Sequence, residues 1–382
     1  MTQQQTIDEQ VLGDLVGRAV GDFGATLGAA LVVIGDRLGL YRGLADLGPT
    51  DAATLAAHTG TVERNVWEWL SAQAAAGYVT YDGADEWGVD RWSLSPEQRE
   101  AFTIETSPAF VIGGFEVVLA AAKSETAITE AFRHGRGFGW HQHDAGLFPG
   151  TERFFRPGYA ASLVEEWLPA LTGTVDALTS AARVADVGCG HGASTILMAQ
   201  AFPASTFHGY DYHPASVAQA EAAARDAAVS DRVTFQVAAA DSYPGSAYDL
   251  VCFFDCLHDM GDPVGALSHT RSTLSRSGVV MLVEPMAADS VGENLNMVGR
   301  VFYGASTLVC LPNSQSQPVS RALGAQAGRQ RLTEVCARGR LHPGPGRRPD
   351  AVQPDPRTRR LNQSPSRGED HPANRTRCQP LS

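Results

Sequence analysis

A short glycine-rich segment carries the clearest chemical signal in this sequence of 382 residues. Gly188, Gly190 and Gly192 follow the apolar run Val184–Val187 and precede residues with helical periodicity. Glycines at a strand-to-helix turn let the backbone approach a ligand closely, and the N-terminus of the helix favours a negative group. The next apolar run leads to Asp211, whose carboxylate can accept hydrogen bonds from both hydroxyls of a ribose. The spacing differs from the dinucleotide-binding fingerprint, because an alanine stands where that pattern has a third glycine.

The elements around this segment predict an α/β domain. Helical stretches separate five short apolar runs, at residues 184–187, 206–210, 233–237, 249–253 and 279–283. This alternation is typical of a parallel sheet that is covered by helices on both faces. Polar residues follow the last three runs: Asp241 and Ser242, then Asp255 to Asp259, then Glu284.

The first hundred residues have a different pattern. Residues 8–45 show helical periodicity, Asp51 is placed to cap a short helix through His58, and Val62–Ala76 predicts a second helix. Two alternating runs around residues 82–85 predict a hairpin, which completes a winged-helix pattern. Residues 1–110 contain six arginines against sixteen acidic residues, whereas a helix that reads a DNA groove should be basic. We therefore expect this region to serve dimerisation or substrate gating.

Composition narrows the class of protein. The formal charge of −12 and the 43% of apolar residues indicate a globular chain whose acidic body repels nucleic acid phosphates. The six cysteines have no C-x-x-C spacing, so we expect reduced, mostly buried thiols and no metal site. The uncharged run Phe23–Gly35 is too short to cross a hydrocarbon layer of about 30 Å, and residues 1–9 contain no basic residue. The sequence thus predicts a cytoplasmic protein with no membrane or nucleic acid partner.

The segment Asp186-Val187-Gly188-Cys189-Gly190-His191-Gly192, together with Asp211, resembles motif I and the ribose-binding acid of class I S-adenosylmethionine-dependent methyltransferases. The segments after the third, fourth and fifth apolar runs fit the same family. The acidic N-terminal region is similar to that of small-molecule methyltransferases whose N-terminal winged-helix domain dimerises, including plant-type O-methyltransferases. The resemblance covers roughly residues 10–337.

This resemblance implies a Rossmann-like class I methyltransferase sheet preceded by a mainly helical winged-helix domain. It also implies a homodimer formed through the N-terminal domain, a small-molecule methyl acceptor, and S-adenosyl-L-methionine as the cofactor. Asp241 or Ser242 would lie near the adenine, and Phe254 or Asp255 near the methionine end. The cofactor-binding residues implied in this way are Asp186, Gly188, Gly190, Asp211, Asp241, Ser242, Phe254 and Asp255.

His258 and Glu284 are the candidate catalytic residues. In the O-methyltransferases that the chain resembles, a His-Asp pair at the position of His258 and Asp259 removes the proton from a phenolic hydroxyl. An imidazole suits that task because its pKa lies near ~6.5 and a carboxylate can orient it. The alternative for His258 is a structural or cofactor-side role. Glu284 orients the substrate or His258, or it only caps the following loop.

The resemblance divides the chain into four parts. Residues 1–105 form the winged-helix domain, 106–180 a helical linker or lid, 181–337 the cofactor-binding domain, and 338–382 a disordered basic tail. Residues 339–382 hold nine arginines and eight prolines, where the family has two more strands. Codons allowed for residues 340–357, read one base later, can spell two apolar runs joined by a turn. We therefore predict a frameshift near Arg338, the alternative being a genuine disordered tail, and a fifth strand with an unpaired edge.

The expected function is methyl transfer from S-adenosyl-L-methionine to a small molecule. O-methylation comes first because His258 favours a hydroxyl acceptor, and N- or C-methylation on the same fold is the alternative. The second alternative is a different class of function. The chain would then be a non-catalytic protein that binds the cofactor or has a regulatory role, because its altered C-terminus has inactivated it. No motif identifies the acceptor, because methyl transfer depends mainly on positioning and desolvation.

Overall fold

The computed structural model describes residues 7–343 and 377–381, with no side-chain description for 342–343 and 377–381. The chain divides into two compact units. Residues 1–119 and 153–157 form the first unit, and residues 120–152 and 158–382 form the second. Residues 106–180 are therefore not a unit of their own in this division, because both units take part of them.

The first unit begins with helices and ends its winged-helix region in a hairpin. Its elements are α1 (Glu9–Arg37), α2 (Leu40–Leu47), α3 (Ala52–Thr59), α4 (Glu63–Ala75), β1 (Thr80–Ala84), β2 (Asp90–Ser93) and α5 (Pro96–Thr103), and α6 (Ile112–Ala122) follows. The carboxylate of Asp51 accepts from the backbone N–H of Thr54 at 2.8 Å and caps α3, as predicted. The turn between the antiparallel strands lies at Asp85–Gly88 rather than at 82–85. Asp85 causes this shift, since its carboxylate accepts the N–H groups of Trp87 and Val89.

Arg153 is the centre of a charge cluster in the first unit. Its guanidinium contacts the carboxylates of Asp36, Glu105 and Glu116 at 2.9 to 3.0 Å. The Arg153 side chain is only 17% exposed, and it also lies over the ring of Phe110. Burial opposes the charge of Arg153, but the surrounding carboxylates outweigh that effect and raise its pKa further. One largely enclosed cation thus contacts three acids of an otherwise acidic region, two of which also pair with Arg42.

Helix α1 exposes an apolar surface within this unit. Its exposed large apolar side chains are Val11, Leu12, Leu15, Val16, Val20, Phe23, Leu27 and Ile34. Among the described residues, α1 is also the one helix whose length and apolar composition would allow it to cross a membrane. Signal sequences and core helices of soluble proteins pass the same test.

The second unit contains the predicted alternation of strands and helices. Its helices are α7 (Glu125–His134), α8 (Leu147–Ser162), α9 (Thr174–Ser180), α10 (Ala193–Ala201), α11 (Pro214–Asp226), α12 (Pro263–Thr273), α13 (Met297–Ala305), α14 (Leu311–Ser316) and α15 (Gly328–Arg338). Its strands are β3 (Arg183–Val187), β4 (Thr206–Asp211), β5 (Val233–Val237), β6 (Tyr248–Phe254), β7 (Leu274–Val283), β8 (His342–Pro343) and β9 (Arg377–Leu381). Residues 163–167 and 306–310 form single turns of π-helix.

The sheet runs in the order β5-β4-β3-β6-β7, and all five strands are parallel. This confirms the predicted α/β class. The chain reverses direction along the sheet between β3 and β6, which is where ligands bind in open α/β sheets. The apolar side chains of β3 and β6 are buried on both faces, with Val184, Val251 and Phe253 fully enclosed.

The expectation of an unpaired edge beyond β7 is wrong for the described backbone. Residues Val279–Val283 of β7 pair in parallel with β9, and β8 pairs with β9. Backbone groups at a free strand edge accept any extended segment, so pairing here requires no apolar sequence. The remainder of the predicted tail, residues 344–376 and 382, lies outside the described residues, and the frameshift stays a prediction.

Candidate functional site

The glycine turn after β3 adopts the backbone that its residue types predict. Gly188, Gly190 and Gly192 all have positive φ, at 78°, 53° and 79°. A Cβ on Gly188 would lie 2.7 Å from the sulfur of Cys256, so this position requires glycine for packing as well. A Cβ on Gly190 would meet no atom within 4 Å. The turn therefore leaves open space beside Gly190.

Asp211 lies at the end of β4, directly across from this turn. One oxygen of its carboxylate accepts the backbone N–H of Gly190 at 3.0 Å, and the other accepts that of His213 at 2.8 Å. Burial raises the pKa of Asp211, although these two backbone hydrogen bonds work against the shift. The carboxylate is thus held in one orientation beside the glycine turn.

Asp186 on β3 is fully buried beneath the turn. Its Oδ2 accepts hydrogen bonds from the hydroxyls of Ser194 and Thr195, both at 2.6 Å. Its Oδ1 has no hydrogen-bond partner among the described residues. Burial raises the pKa of Asp186 to about 6, against the effect of the two hydroxyls. The site therefore contains one buried carboxylate oxygen whose hydrogen-bonding capacity is unused.

The other implied cofactor residues lie in two different environments. Asp241 and Ser242 are exposed in the loop after β5, where the Ser242 hydroxyl donates to Asp241. Phe254 is buried at the end of β6, where its ring contacts those of Tyr159 and Trp167, which also contact each other. Asp255 follows with a φ of 51°.

Tyr159 holds the Asp255 carboxyl in place. The phenol donates a 2.8 Å hydrogen bond to Oδ2 of Asp255. Burial is the main cause that raises the pKa of Asp255 to about 7, and the neighbouring Glu284 adds to it. The Tyr159 hydrogen bond and His258 oppose the shift.

His258 and Glu284, the two candidate catalytic residues, are in contact. His258 lies in a short 3₁₀ turn, Leu257–Asp259, after β6, and Glu284 follows β7. Oε2 of Glu284 forms a short hydrogen bond with Nδ1 of His258, while its Oε1 accepts the N–H of Leu257 at 2.8 Å. One carboxylate thus contacts His258 and also caps the turn after β6, rather than the loop that follows Glu284 itself.

The surroundings of His258 raise its pKa, which makes the imidazole a stronger base. Burial opposes the charged imidazolium, but Glu284 and the sulfur of Cys310 outweigh burial and raise the pKa of His258 well above its ordinary value. The carboxyl of Asp259, the next residue, is also buried, which raises its pKa to about 7. The carboxyl ends of the adjacent parallel strands β6 and β7 thereby bring four ionisable side chains together: Asp255, His258, Asp259 and Glu284.

Cys310 is the functional candidate that sequence reasoning missed. Its sulfur lies 3.3 Å from Nε2 of His258, on the side of the ring opposite Glu284. Cys310 ends the π-helical turn Ser306–Cys310, in which one extra residue per turn changes the direction of the following side chains. The sequence analysis expected reduced, mostly buried thiols; Cys310 is one of two described cysteines that are partly exposed. A cysteine 52 residues from its histidine gives no local signal.

The aromatic segment between α7 and α8 lies against the end of β4. Phe148 packs between the rings of Trp140 and His213, at centroid distances of 5.3 and 4.7 Å. The side-chain oxygen of Asn313 on α14 accepts hydrogen bonds from the backbone N–H of Trp140 and from the hydroxyl of Tyr212, both at 3.0 Å. These contacts hold the segment beside Asp211, in the region where the sequence analysis considered a lid.

Two asparagines in the loop after β7 form hydrogen bonds with the backbone. The side-chain amide of Asn294 exchanges two hydrogen bonds with the backbone of Ala288. Asn296 caps α13 by accepting the N–H of Gly299 at 2.8 Å. These contacts give both residues a structural role in the loop after β7.

Comparison with known proteins agrees with this geometry. Residues 185–280 match a family model described as "Methyltransferase domain", and residues 25–103 match one described as "Rv2258c-like winged HTH domain". A trans-aconitate 2-methyltransferase of Escherichia coli (strain UMN026) is 34% identical over 102 residues, which is 27% of this chain and 38% of the relative. The chain therefore spans well under half the length of the curated relatives that it matches.

Solved structures show the same fold over most of the chain. An O-methyltransferase family protein of Burkholderia thailandensis superposes with a TM-score of 0.62 at 17% identity, covering 89% of this chain and 95% of that one. Human N-acetylserotonin methyltransferase in complex with SAM gives a TM-score of 0.60 at 15% identity, covering 89% and 93%. Mitomycin 7-O-methyltransferase gives 0.60 at 17% identity, covering 87% and 94%.

The domain match, the sheet order and the turn geometry lead to one conclusion. Residues 185–280 match a methyltransferase domain and form a sheet with the strand order of that class I fold, and residues 25–103 match a winged helix-turn-helix domain in the same chain.

Proposed function

We propose that this chain transfers the methyl group of S-adenosyl-L-methionine to a hydroxyl group of a small molecule. The observation that carries this proposal is the buried hydrogen-bonded pair of His258 and Glu284 at the carboxyl ends of β6 and β7. A carboxylate acceptor is already ionised at neutral pH and needs no base. A hydroxyl acceptor must lose a proton, and a paired imidazole is the group that most often removes it.

The chain's residues fit the cofactor in three respects. The open space beside Gly190 admits a ligand next to the backbone. Asp211 presents an oriented carboxylate that suits a ribose diol, and the unused oxygen of Asp186 suits a cationic donor such as an ammonium group. We assign these three residues, with Gly188, Phe254 and Asp255, to the cofactor site, and Asp241 and Ser242 to its adenine end.

The proposed mechanism assigns the proton transfer to His258. When bound, the cofactor supplies a methyl group that its sulfonium sulfur already activates. Glu284 accepts a hydrogen bond from Nδ1, which leaves Nε2 as the nitrogen that can take the acceptor's proton. The same carboxylate stabilises the imidazolium that forms, because the site is buried and weakly screened. His258 is therefore the general base, and Glu284 is the residue that positions and stabilises it.

Two further assignments belong to this proposal. The exposed apolar side chains of α1 are consistent with a homodimer formed through the N-terminal unit. The acidic chain, with a formal charge of −12, is consistent with a cytoplasmic protein that does not bind nucleic acid.

Calorimetric titration with S-adenosylhomocysteine tests the cofactor assignment first. Release of S-adenosylhomocysteine is then measured with phenols, aliphatic alcohols, amines and carboxylic acids as acceptors. We expect turnover with a phenol or alcohol, and a loss of about 10²- to 10⁴-fold in kcat for His258→Gln. His208→Gln is the matched control, since His208 lies on β4 and contacts Thr234. Turnover with carboxylic acids alone, or an unchanged rate in His258→Gln, would contradict the proposal.

A further inference from the structure

Cys310, His258 and Glu284 form a continuous chain of hydrogen bonds. Glu284 holds Nδ1 of His258, and Nε2 of the same ring lies 3.3 Å from the sulfur of Cys310. Glu284 thus contacts one ring nitrogen, and the other, Nε2, is the one that faces the thiol. Nucleophilic cysteines are activated by this arrangement of thiol, imidazole and orienting acid.

We propose that Cys310 is a nucleophilic thiol, activated by His258 and Glu284, and a site of covalent modification by soft carbon electrophiles. The thiol proton passes to Nε2 of His258, and the resulting thiolate is paired with an imidazolium that Glu284 stabilises. With a haloacetamide, sulfur forms a bond to the carbon that bears the halogen. The carbon–halogen bond breaks, the halide leaves with the bonding electrons, and solvent takes the proton from His258.

The other described cysteines lack this environment or access. Burial raises the pKa of Cys189, Cys252 and Cys256 well above the ordinary thiol value. The sulfur of Cys256 donates to the carbonyl of Val187 at 3.1 Å. Cys336 is fully buried. Cys310 is partly exposed, so an electrophile of small size can reach it.

The consequence for the site is steric as well as chemical. An adduct on the Cys310 sulfur lies beside Nε2, the atom to which the proposed function assigns proton removal. Modification therefore inactivates the base. The reactivity of the thiol does not depend on methyl transfer. Labelling therefore tests this proposal, and turnover tests the proposed function, independently of each other.

The test is iodoacetamide labelling of the full chain at pH 6.5, followed by peptide mapping by mass spectrometry. An ordinary thiol with a pKa near ~8.5 is only about 1% ionised at that pH. We expect Cys310 to react about tenfold faster than glutathione, rather than a hundredfold, because a stabilised thiolate is a weaker nucleophile. If Cys310 of the wild-type chain reacts no faster than glutathione, the proposal is overturned, and no variant is needed to decide it.

Variants then identify the activating group. His258→Gln should reduce the labelling rate of Cys310 to within about twofold of glutathione, since the proton acceptor is lost. Cys256→Ser is the matched control and should leave the Cys310 rate unchanged. Circular dichroism confirms that each variant is folded. A folded His258→Gln chain that still labels Cys310 at the wild-type rate would show that the thiol is merely accessible.

Discussion

Replacing Gly190 by alanine separates the requirements of the fold from those of the cofactor. Gly190 has a φ of 53°, and a Cβ there would contact no protein atom within 4 Å. The protein therefore loses only the backbone preference for glycine, which is about 1–2 kcal/mol in the left-handed region. The added methyl group, however, enters the space beside the Asp211 carboxylate. We expect the Kd for S-adenosylhomocysteine to rise at least about 30-fold, which corresponds to about 2 kcal/mol.

Gly173→Ala provides the matched control. Gly173 has a φ of 78° and equally open space around its missing Cβ, but it precedes α9, away from the glycine turn. Thermal unfolding should show a similar loss of stability for both variants, and calorimetric titration should show weakened binding for Gly190→Ala alone. Equal affinities in the two variants would refute the assignment of the open space to the cofactor. A much larger loss of stability in Gly190→Ala would refute the reading of that space as open.

Three further predictions follow from the buried charges. Asp255→Asn should raise the free energy of unfolding at pH 8 by on the order of 3 kcal/mol but leave it nearly unchanged at pH 4. The folded chain raises the carboxyl pKa to about 7, so wild-type stability falls as pH rises from about 4 to about 7 and is constant above that range, and denaturant titrations at several pH values measure the difference. Glu284→Gln should move the acidic limb of the pH profile of kcat/KM to lower pH, because Glu284 raises the pKa of His258 and the base must be neutral; an unmoved limb would argue against the pair. Arg153→Met should destabilise the first unit by about 3–5 kcal/mol, whereas Arg64→Met, which breaks an exposed pair with side chains 68% and 66% exposed, should cost about 0.5 kcal/mol or less in urea unfolding.

Local patterns made most of the α/β domain predictable. Strand β5 has the predicted bounds, and Asp51 caps α3, because apolar periodicity and capping act over a few residues. The glycine turn was equally clear. Three of its five positions have a positive φ, and glycine is the residue that most readily adopts one. The position of the hairpin turn was predicted less well. The run contains several aspartates that could accept backbone N–H groups, and in the structure Asp85 is the one that accepts two.

The missed features depend on distant parts of the chain. Cys310 reaches His258 through the π-helical turn that ends at residue 310, and no periodicity in the sequence marks that turn. The pairing of β9 with β7 joins distant parts of the chain, so no local pattern marks it. Arg153 lies 117 residues from Asp36, so its charge cluster exists only in the folded unit.

The position of Arg153 also limits how this protein can be divided into fragments. The first unit is not one contiguous stretch, since residues 153–157 belong to it. A recombinant fragment ending at residue 119 would keep the carboxylates of Asp36, Glu105 and Glu116, and Arg42 beside the first two, but would lose the one guanidinium that contacts all three. Exchange of winged-helix regions between genes would meet the same obstacle, because the imported segment arrives without its counter-charge. Successful chimaeras of this architecture should therefore carry the start of the unit and the middle of α8 from the same parent.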